Sequence, residues 1–367
     1  MTRTLTAALV VLVLAACAST GEPSPSAGGS AGVGSPSASP SVEAPDPSEQ
    51  PSESPSAAPE WTGHPAAGLA LVQFPGGPDD PASQIFVVED DGSLRQVTGS
   101  STSFNGASRP VWSPDRTQIA FSGPKIGGDG IKGEIGVVNA DGSGEREISE
   151  GRDVSWSPDG TMILVGEVDD VTGDPPSMYL VDVATGEITD VGIGYQPRWL
   201  PDGERFSFYR NVQGRVPGDE EAFSTVLIVV ALDGSEQTEI AENAEGYWSP
   251  DGSAMLLVSE QTLSLAAPDG TDAQELAGGG SPVWSPDGTR IVLSYDHDQH
   301  GTPVLAVVDL DGERIWSGVS GAFPTWSPDG TRIAVEIPYP EPMVQVLDAA
   351  TGDVLWEVEG SSPAWTS

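Results

Sequence analysis

A tryptophan followed by Ser-Pro-Asp-Gly returns at nearly regular intervals, and this repeat constrains the fold more than any other feature. Four copies are intact, two differ at one position (Arg116 and Leu200), and a seventh tryptophan ends a bare Pro-Ala-Trp. In order they are Trp112, Trp156, Trp199, Trp248, Trp284, Trp326 and Trp365, at spacings of 44, 43, 49, 36, 42 and 39 residues. A period of about 40 residues with four short strands per unit is typical of a β-propeller blade.

Each tryptophan is followed by the same succession of turn and strand signals. Ser-Pro-Asp-Gly suits a type I turn, because proline presets φ and the Ser and Asp side chains bond nearby backbone amides. Runs rich in β-branched residues follow, as at 119–121 and 333–335, and a third run ends in a glycine turn such as Asp141-Gly142. A weaker fourth run completes the unit. The chain is therefore predicted to be all-β, with seven four-stranded antiparallel blades.

The first blade determines how the ring closes. The runs at 69–74, 85–88 and 95–97 supply three strands and need a fourth. The simplest solution pairs residues 362–365 with the run at 69–74, so that the C-terminal strand closes the ring and removes unpaired edges. The competing candidate is Glu60-Trp61, which has nearly the same spacing to the first run. Both solutions give seven blades.

The repeated unit has the form Pro-x-Trp-Ser-Pro-Asp-Gly-x-x-Ile-Ala-Phe. This unit resembles the TolB-type, WD-repeat-like β-propeller family of bacteria, and the resemblance covers residues 61–367. It implies the fold without implying one function, because the motif is the scaffold of the blade and such folds serve many tasks. The two departures, at Arg116 and Leu200, fall on turn positions.

Residues 1–16 have the proportions of a bacterial signal peptide. Arg3 precedes an apolar core at 9–14, which is too short for a stable membrane span. Leu-Ala-Ala-Cys17 then resembles the lipoprotein lipobox, which implies cleavage before Cys17 and lipidation of its sulfur. The alternative is an ordinary secretory signal with an incidental cysteine. We therefore expect a lipid-anchored protein on the extracytoplasmic face of the cell membrane.

Residues 17–60 are predicted to be a disordered tether, since Ser, Pro, Ala and Gly dominate them and cannot build a core. The formal net charge of the whole chain is −40. Nucleic acid is excluded as a partner by this charge, because phosphate binding needs a basic surface. The charge favours a soluble monomer that repels its own copies, and the alternative interpretation is attraction to cations or basic partners.

Propeller topology indicates where a binding site would lie. The loops between second and third strands differ in length and share one face with the links between blades, and variable loops on a rigid frame usually carry binding. Residues three positions before a tryptophan should lie near the channel mouth on that face. The candidate partner-binding residues are Arg109, Asp153, Gln196 and Glu245 at the mouth, with Arg210 and Arg215 in the loop at 210–223. Solvated polar positions are the alternative interpretation.

One loop has the residue types of a metal site, although no cofactor is required by any other feature. Asp296, His297, Asp298 and His300 place two imidazoles and two carboxylates within five residues, and these ligands suit zinc, manganese or iron. A solvated polar loop is the alternative. Two functions remain open. The first is a binding or scaffolding module for an envelope protein or polymer, without enzymatic activity. The second is a metal-dependent hydrolase or lyase acting on polysaccharide.

Overall fold

A computed structural model describes residues 63–75, 83–99, 104, 106–124, 133–167, 176–213 and 223–365. The signal segment, Cys17, the tether, Trp61 and Arg215 lie outside the described residues. Within those ranges the chain forms 28 β-strands. The same ranges contain no helix of the length and apolarity that crossing a bilayer requires.

The strands follow one another in a regular meander. In chain order they are β1 (Ala70–Gln73), β2 (Gln84–Val88), β3 (Leu94–Gln96), β4 (Ser108–Trp112), β5 (Gln118–Gly123), β6 (Glu134–Asn139), β7 (Arg146–Glu150), β8 (Asp153–Trp156), β9 (Met162–Gly166), β10 (Ser177–Asp182), β11 (Ile188–Ile193), β12 (Tyr195–Trp199), β13 (Arg205–Gln213), β14 (Phe223–Ala231), β15 (Thr238–Glu242), β16 (Glu245–Trp248), β17 (Met255–Ser259), β18 (Thr262–Ala266), β19 (Gln274–Gly278), β20 (Gly280–Trp284), β21 (Arg290–His297), β22 (Pro303–Asp309), β23 (Arg314–Ser320), β24 (Ala322–Trp326), β25 (Arg332–Ile337), β26 (Met343–Asp348), β27 (Val354–Glu359) and β28 (Ser361–Ala364).

These strands form seven antiparallel sheets of four, which confirms the predicted seven-bladed propeller. Blade 1 has the order β28-β1-β2-β3, and blades 2 to 7 take the remaining strands in consecutive fours, from β4–β7 to β24–β27. The C-terminal strand closes the ring, because Ala364 pairs with Ala70 and Ser361 with Val72. Trp365 follows that strand and donates from Nε1 to the carbonyl of Ala67. The closure by residues 362–365 is thus confirmed.

The first strand of each blade lies at the centre of the disc. Strand β4 contacts β28, β8 contacts β12, and β24 contacts both β20 and β28, so these inner strands surround the axis. The fourth strands form the rim, and every residue of β11 is at least partly exposed. We call the end of the inner strands that precedes the tryptophans the mouth face. The opposite end, which carries the Ser-Pro-Asp-Gly turns, is the turn face.

The turns repeat the same hydrogen bonds in five blades. The serine hydroxyl donates to the aspartate two residues later at 2.6–2.7 Å and accepts from the amide five residues later, where the second strand starts. The five serines are Ser113, Ser157, Ser249, Ser285 and Ser327, each at most 3 % exposed. Blade 4 has Leu200 instead, and there Asp202 pairs with Arg205 at 2.7 Å. These bonds explain why the motif recurs.

The repeated tryptophans pack in the seams between blades rather than facing the channel. Trp156, Trp284 and Trp326 donate from Nε1 to the carbonyl of the residue just before the tryptophan of the preceding blade, at 3.0–3.1 Å. All three are at most 9 % exposed. Burying a large ring and satisfying its only polar atom stabilises these three seams, whereas Nε1 of Trp112 and of Trp199 is buried without a hydrogen-bond partner among the described residues. Trp248 is different, because its Nε1 donates to Pro268 of its own blade.

Candidate binding site at the channel mouth

Seven residues lie three positions before the repeated tryptophans, at the mouth-face end of the inner strands. We call this set the mouth ring: Arg109, Asp153, Gln196, Glu245, Ser281, Phe323 and Ser362. The structure therefore places the four candidate residues of the mouth at equivalent points in blades 2 to 5. Three further members, in blades 6, 7 and 1, could have been found from the same spacing.

Five members of the mouth ring stand at a β-bulge with a left-handed backbone. Their φ values are 48–52°, and the pairing with the second strand shifts register at each of them. Each is followed by a proline, which has no N–H to give to the ladder. A bulge bends the strand and re-aims a side chain. The five are Arg109, Gln196, Ser281, Phe323 and Ser362.

Asp153 and Glu245 are the two members that stay in a regular ladder. Asp153 pairs with Gly166 and Glu245 with Val258, without a register shift. The residues after them are Val154 and Gly246 rather than proline. The two blades that keep a continuous inner strand are therefore the two that present a carboxylate at the mouth. This link between proline and bulge was present in the sequence and could have been read there.

Asp153 lies between arginines of the two neighbouring blades. Burial raises the pKa of this carboxyl, and the positive charges of Arg109 and Arg198, together with the backbone N–H of Gln196, oppose that rise. Among the described residues, neither Arg109 nor Arg198 has a carboxylate within ion-pair distance. The mouth thus holds two guanidinium groups that are not neutralised by a close partner, in a chain with a net charge of −40.

Arg198 also contacts the aromatic lining of blade 5. Its guanidinium carbon lies 5.2 Å from the centre of the Tyr247 ring, within the range of a cation–π contact. The Tyr247 hydroxyl donates to Oε2 of Glu245. Burial raises the pKa of Tyr247, and the hydrogen bond and charge of Glu245 raise it further, so this phenol stays protonated. Sequence reasoning missed Arg198 and Tyr247, although both directly precede a repeated tryptophan.

A tyrosine pair of blade 4 lies beside this charged group. Tyr195 stacks on Tyr209 with ring centres 5.9 Å apart. The Tyr209 hydroxyl accepts the N–H of Gly246 at 2.9 Å, and the Tyr195 hydroxyl donates to Asn211 at 2.9 Å. These bonds fix the backbone next to Glu245. The bond from Gly246 to Tyr209 joins blades 4 and 5 here, and the other two contacts lie within blade 4.

The remaining side of the mouth ring is neutral. Ser281 and Ser362 are small, and the backbone N–H of Ser362 donates to Glu336 at 2.7 Å. Phe323 is 69 % exposed. On the same face, His300 of blade 6 stacks on Tyr339 of blade 7 with ring centres 5.1 Å apart. The mouth ring is thus divided between charged and polar residues in blades 2 to 5 and neutral residues in blades 6, 7 and 1, beside which Glu336 supplies a carboxylate.

The loop expected to carry Arg210 and Arg215 begins later than predicted. Strand β13 continues to Gln213, so Arg210 belongs to the strand, where it pairs with Val226. Arg215 lies outside the described residues, and its role stays a prediction. The greater part of the loops between the second and third strands of blades 2 and 3 also lies outside the described residues.

The four metal candidates are not gathered into a ligand set. Strand β21 includes Asp296 and His297, which pair with Val304 and Pro303. Asp298 caps a tight turn, because its Oδ1 accepts the N–H groups of His300 and Thr302 at 2.8 and 3.0 Å. Those hydrogen bonds lower its pKa, the His300 amide most.

The imidazole of His300 stacks on Tyr339 instead of turning towards a carboxylate. In the described ranges there is no group of three or more His, Cys, Asp or Glu residues that could hold a metal ion. Asp296 and His297 are strand residues and Asp298 holds a turn, and the metal site stays a prediction.

Comparison with known proteins supports the fold. TolB from Acinetobacter baumannii matches at 20% identity and a TM-score of 0.48, over 67% of this chain and 62% of that one. An oligogalacturonate lyase in complex with manganese matches at 14% identity and 0.52, over 79% and 85%. An acylaminoacyl peptidase from Pyrococcus horikoshii matches at 16% and 0.53, over 71% and 46%.

Two of these three matches leave more than a third of the other chain uncovered. No protein-family model and no curated protein matches the sequence. The lyase and the peptidase, both with TM-scores above 0.5, share a β-propeller fold with this chain, and at these identities the likeness establishes nothing about chemistry. The chain is therefore a seven-bladed β-propeller.

Proposed function

We propose that this chain is a lipoprotein anchored through Cys17 on the extracytoplasmic face of the membrane, and that its propeller binds an envelope protein or polymer at the mouth ring. The lipobox ending in Cys17 and the tether at 17–60 support the anchor. Two acyl chains suffice for stable anchoring. In this proposal the segment 17–60 holds the acidic domain clear of anionic headgroups, which would repel it.

The charged side of the mouth carries the binding proposal. The positive charges of Arg109 and Arg198 act on the half-buried carboxylate of Asp153 without forming a close ion pair with it, in a chain whose net charge is −40. Arginine forms planar, bidentate hydrogen bonds with carboxylates. The proposed partner therefore offers acidic groups to Arg109 and Arg198 and apolar surface to Phe323.

The experiment is cross-linking of the full lipidated chain in its native membrane, followed by affinity capture and mass spectrometry. The test variant is Arg109→Glu with Arg198→Glu. The matched control is Arg116→Glu, because Arg116 is also exposed and also has a positive φ, of 61° against 50° for Arg109, but lies on the turn face. We expect the double variant to lose its partner at least about tenfold, since reversed charges repel an acidic group.

Two outcomes would contradict the proposal. A partner that is retained by the double variant and lost by Arg116→Glu would place binding on the turn face. A Cys17→Ala chain that still sediments with membranes would contradict the lipid anchor independently of the partner.

The alternative, a metal-dependent hydrolase or lyase acting on polysaccharide, rested on residues 296–300. The described residues do not support it, since Asp298 is committed to its turn and His300 to Tyr339. Thermal melting of the chain with and without a chelator tests it directly. If the chelator lowers the melting temperature of the parent chain but not that of His300→Ala, the result would support the metal site.

A further inference from the structure

The seam between blades 6 and 7 shows how the chain covers a repeated tryptophan on the turn face. Arg290 stands six residues after Trp284, and its guanidinium carbon lies 4.9 Å from the centre of the Trp326 ring in the next blade. Its Nη2 donates to the carbonyl of Gly330 at 2.6 Å. An arginine over an indole face, bonded to the carbonyl of the glycine turn, is thus a stable arrangement in this protein.

The seam between blades 7 and 1 is filled in a related way. Arg332 stands six residues after Trp326 and is 5 % exposed. Its Nη1 donates to the carbonyl of Pro65 at 2.9 Å, across the junction. In both seams an arginine at the same point of the repeat reaches the following blade.

The seam between blades 4 and 5 has the same arginine but not the same contact. Arg205 stands six residues after Trp199 and is bonded to Asp202 of its own turn at 2.7 Å, as Arg332 is to Asp329 at 2.6 Å. The difference is exposure, since the Arg205 side chain is 49 % exposed and that of Arg332 is 6 % exposed. No cation–π contact joins it to Trp248. Trp248 is itself turned towards Pro268, as its Nε1 bond shows.

A cleft of about 240 Å³ opens where Arg205 does not reach across. It is lined by Leu200, Pro201, Asp202, Arg205, Trp248, Pro250, Asp251, Gly252 and Pro268. Gly252 has the place in the blade 5 turn that Gly330 has in blade 7. The cleft therefore offers an indole, three prolines and a glycine turn in the setting that Arg290 occupies elsewhere.

The charge of the cleft is also suited to a cation. The amide of Ser253 and the hydroxyls of Ser249 and Ser253 hold the pKa of Asp251 at about 2, so this carboxylate is ionised under physiological conditions. Asp202 is a second carboxylate, shared with Arg205. An approaching cation would also be attracted by the net charge of −40.

We propose that the cleft between blades 4 and 5 is a docking site for an arginine side chain of a partner protein, received over Trp248 as Arg290 is received over Trp326. The site lies on the turn face and is independent of the mouth ring. A lysine-sized cation would gain the same charge attraction, but only a guanidinium combines a planar stack with an in-plane hydrogen bond to a carbonyl.

The test uses the full chain with Cys17→Ala to prevent lipidation and with ¹⁵N-labelled tryptophan. The chain has ten tryptophans, and Trp248→Phe identifies the Trp248 indole signal. The probe is the blocked tripeptide Ac-Gly-Arg-Gly-NH₂, with Ac-Gly-Gln-Gly-NH₂ as control. We expect the arginine peptide to shift the Trp248 signal saturably at millimolar concentrations, as for a single exposed cation–π contact, and the glutamine peptide to leave it unchanged.

Arg290→Ala is the matched variant, because it opens the corresponding space over Trp326. In that variant the Trp326 signal should start to respond to the arginine peptide, whereas in the parent chain it should not. A Trp248 signal that is unmoved by the arginine peptide, or moved equally by the glutamine peptide, would overturn the proposal.

Discussion

The two ends of the inner strands follow opposite rules. At the turn face, five blades repeat one hydrogen-bonded pattern of buried serine and ionised aspartate. At the mouth face, the equivalent position of seven blades carries Arg, Asp, Gln, Glu, Ser, Phe and Ser. The repeated residues belong to the scaffold, whereas the variable ones stand where we propose that binding occurs. This contrast implies that substitutions should cost stability at one end and binding at the other.

The largest expected difference separates Trp326 from Phe323, which lie three residues apart on β24. Trp326→Ala should lower the free energy of unfolding by about 3–5 kcal/mol, because it empties a buried seam and removes the bond to Val283. Phe323→Ala should change it by less than about 0.5 kcal/mol, since that ring is 69 % exposed. Urea unfolding of both variants measures these changes in the free energy of unfolding. Equal losses would break the distinction between the two ends.

A smaller difference is expected between two serines. Ser327→Ala removes a hydroxyl that is fully buried, that donates to Asp329 and that accepts the N–H of Arg332 at 2.9 Å. The loss should be about 1–3 kcal/mol, because the Arg332 amide is left buried without this partner. Ser281→Ala at the mouth is the control and should be neutral within about 0.5 kcal/mol. If Ser281→Ala proved equally costly, the mouth ring would be part of the scaffold.

The smallest expected effects are on the pH dependence of stability. They have opposite signs for Asp329 at the turn face and Asp153 at the mouth face. Hydrogen bonds from Ser327 and Thr331 and the charge of Arg332 outweigh burial and lower the pKa of Asp329 to about 2, below the usual value of about 3.9 for an unfolded chain. Asp329 therefore contributes stability above about pH 4, which is lost as the pH falls towards 2. Asp153 has a raised pKa, so its ionisation opposes folding once the pH exceeds its unfolded value.

Urea midpoints measured at several pH values distinguish these two carboxyls. Asp329→Asn should lose stability at neutral pH and show a shallower decline than the parent chain between about pH 4 and 2. Asp153→Asn should gain stability at neutral pH and match the parent chain in acid. Comparison with the parent chain cancels the general relief of negative charge on acidification. A loss of stability in Asp153→Asn at pH 7 would show that its arginine neighbours outweigh burial.

Most of the scaffold was predictable because it is determined by residues that lie close together in the sequence. The tryptophan spacing gave seven blades, and Trp365 gave the closing strand, since turn residues and β-branched runs act over a few positions. The ends of the strands were predicted less accurately. Arg210 and His297 belong to strands because the pairing continues into the segments predicted to be loops. Cross-strand partners decide such ends, and they are distant in sequence.

The site was only partly predictable for the same reason. The period placed Arg109, Asp153, Gln196 and Glu245 at the mouth, and it could also have supplied Phe323. Arg205 bonds the aspartate of its own turn, as Arg332 does, but its side chain stays half exposed instead of packing against the next blade, and no spacing encodes that difference. The cleft beside Trp248 follows from this one side-chain difference between seams that look alike in sequence.

Ring closure by β28 has a consequence for biosynthesis. Trp365 bonds Ala67 across 298 residues, and β1 has no inner neighbour until β28 arrives. During translation, six blades can be complete while the first still exposes an unpaired edge, which is a template for aggregation. Pairing of β28 with β1 is therefore the step that removes the last open sheet edge of blade 1.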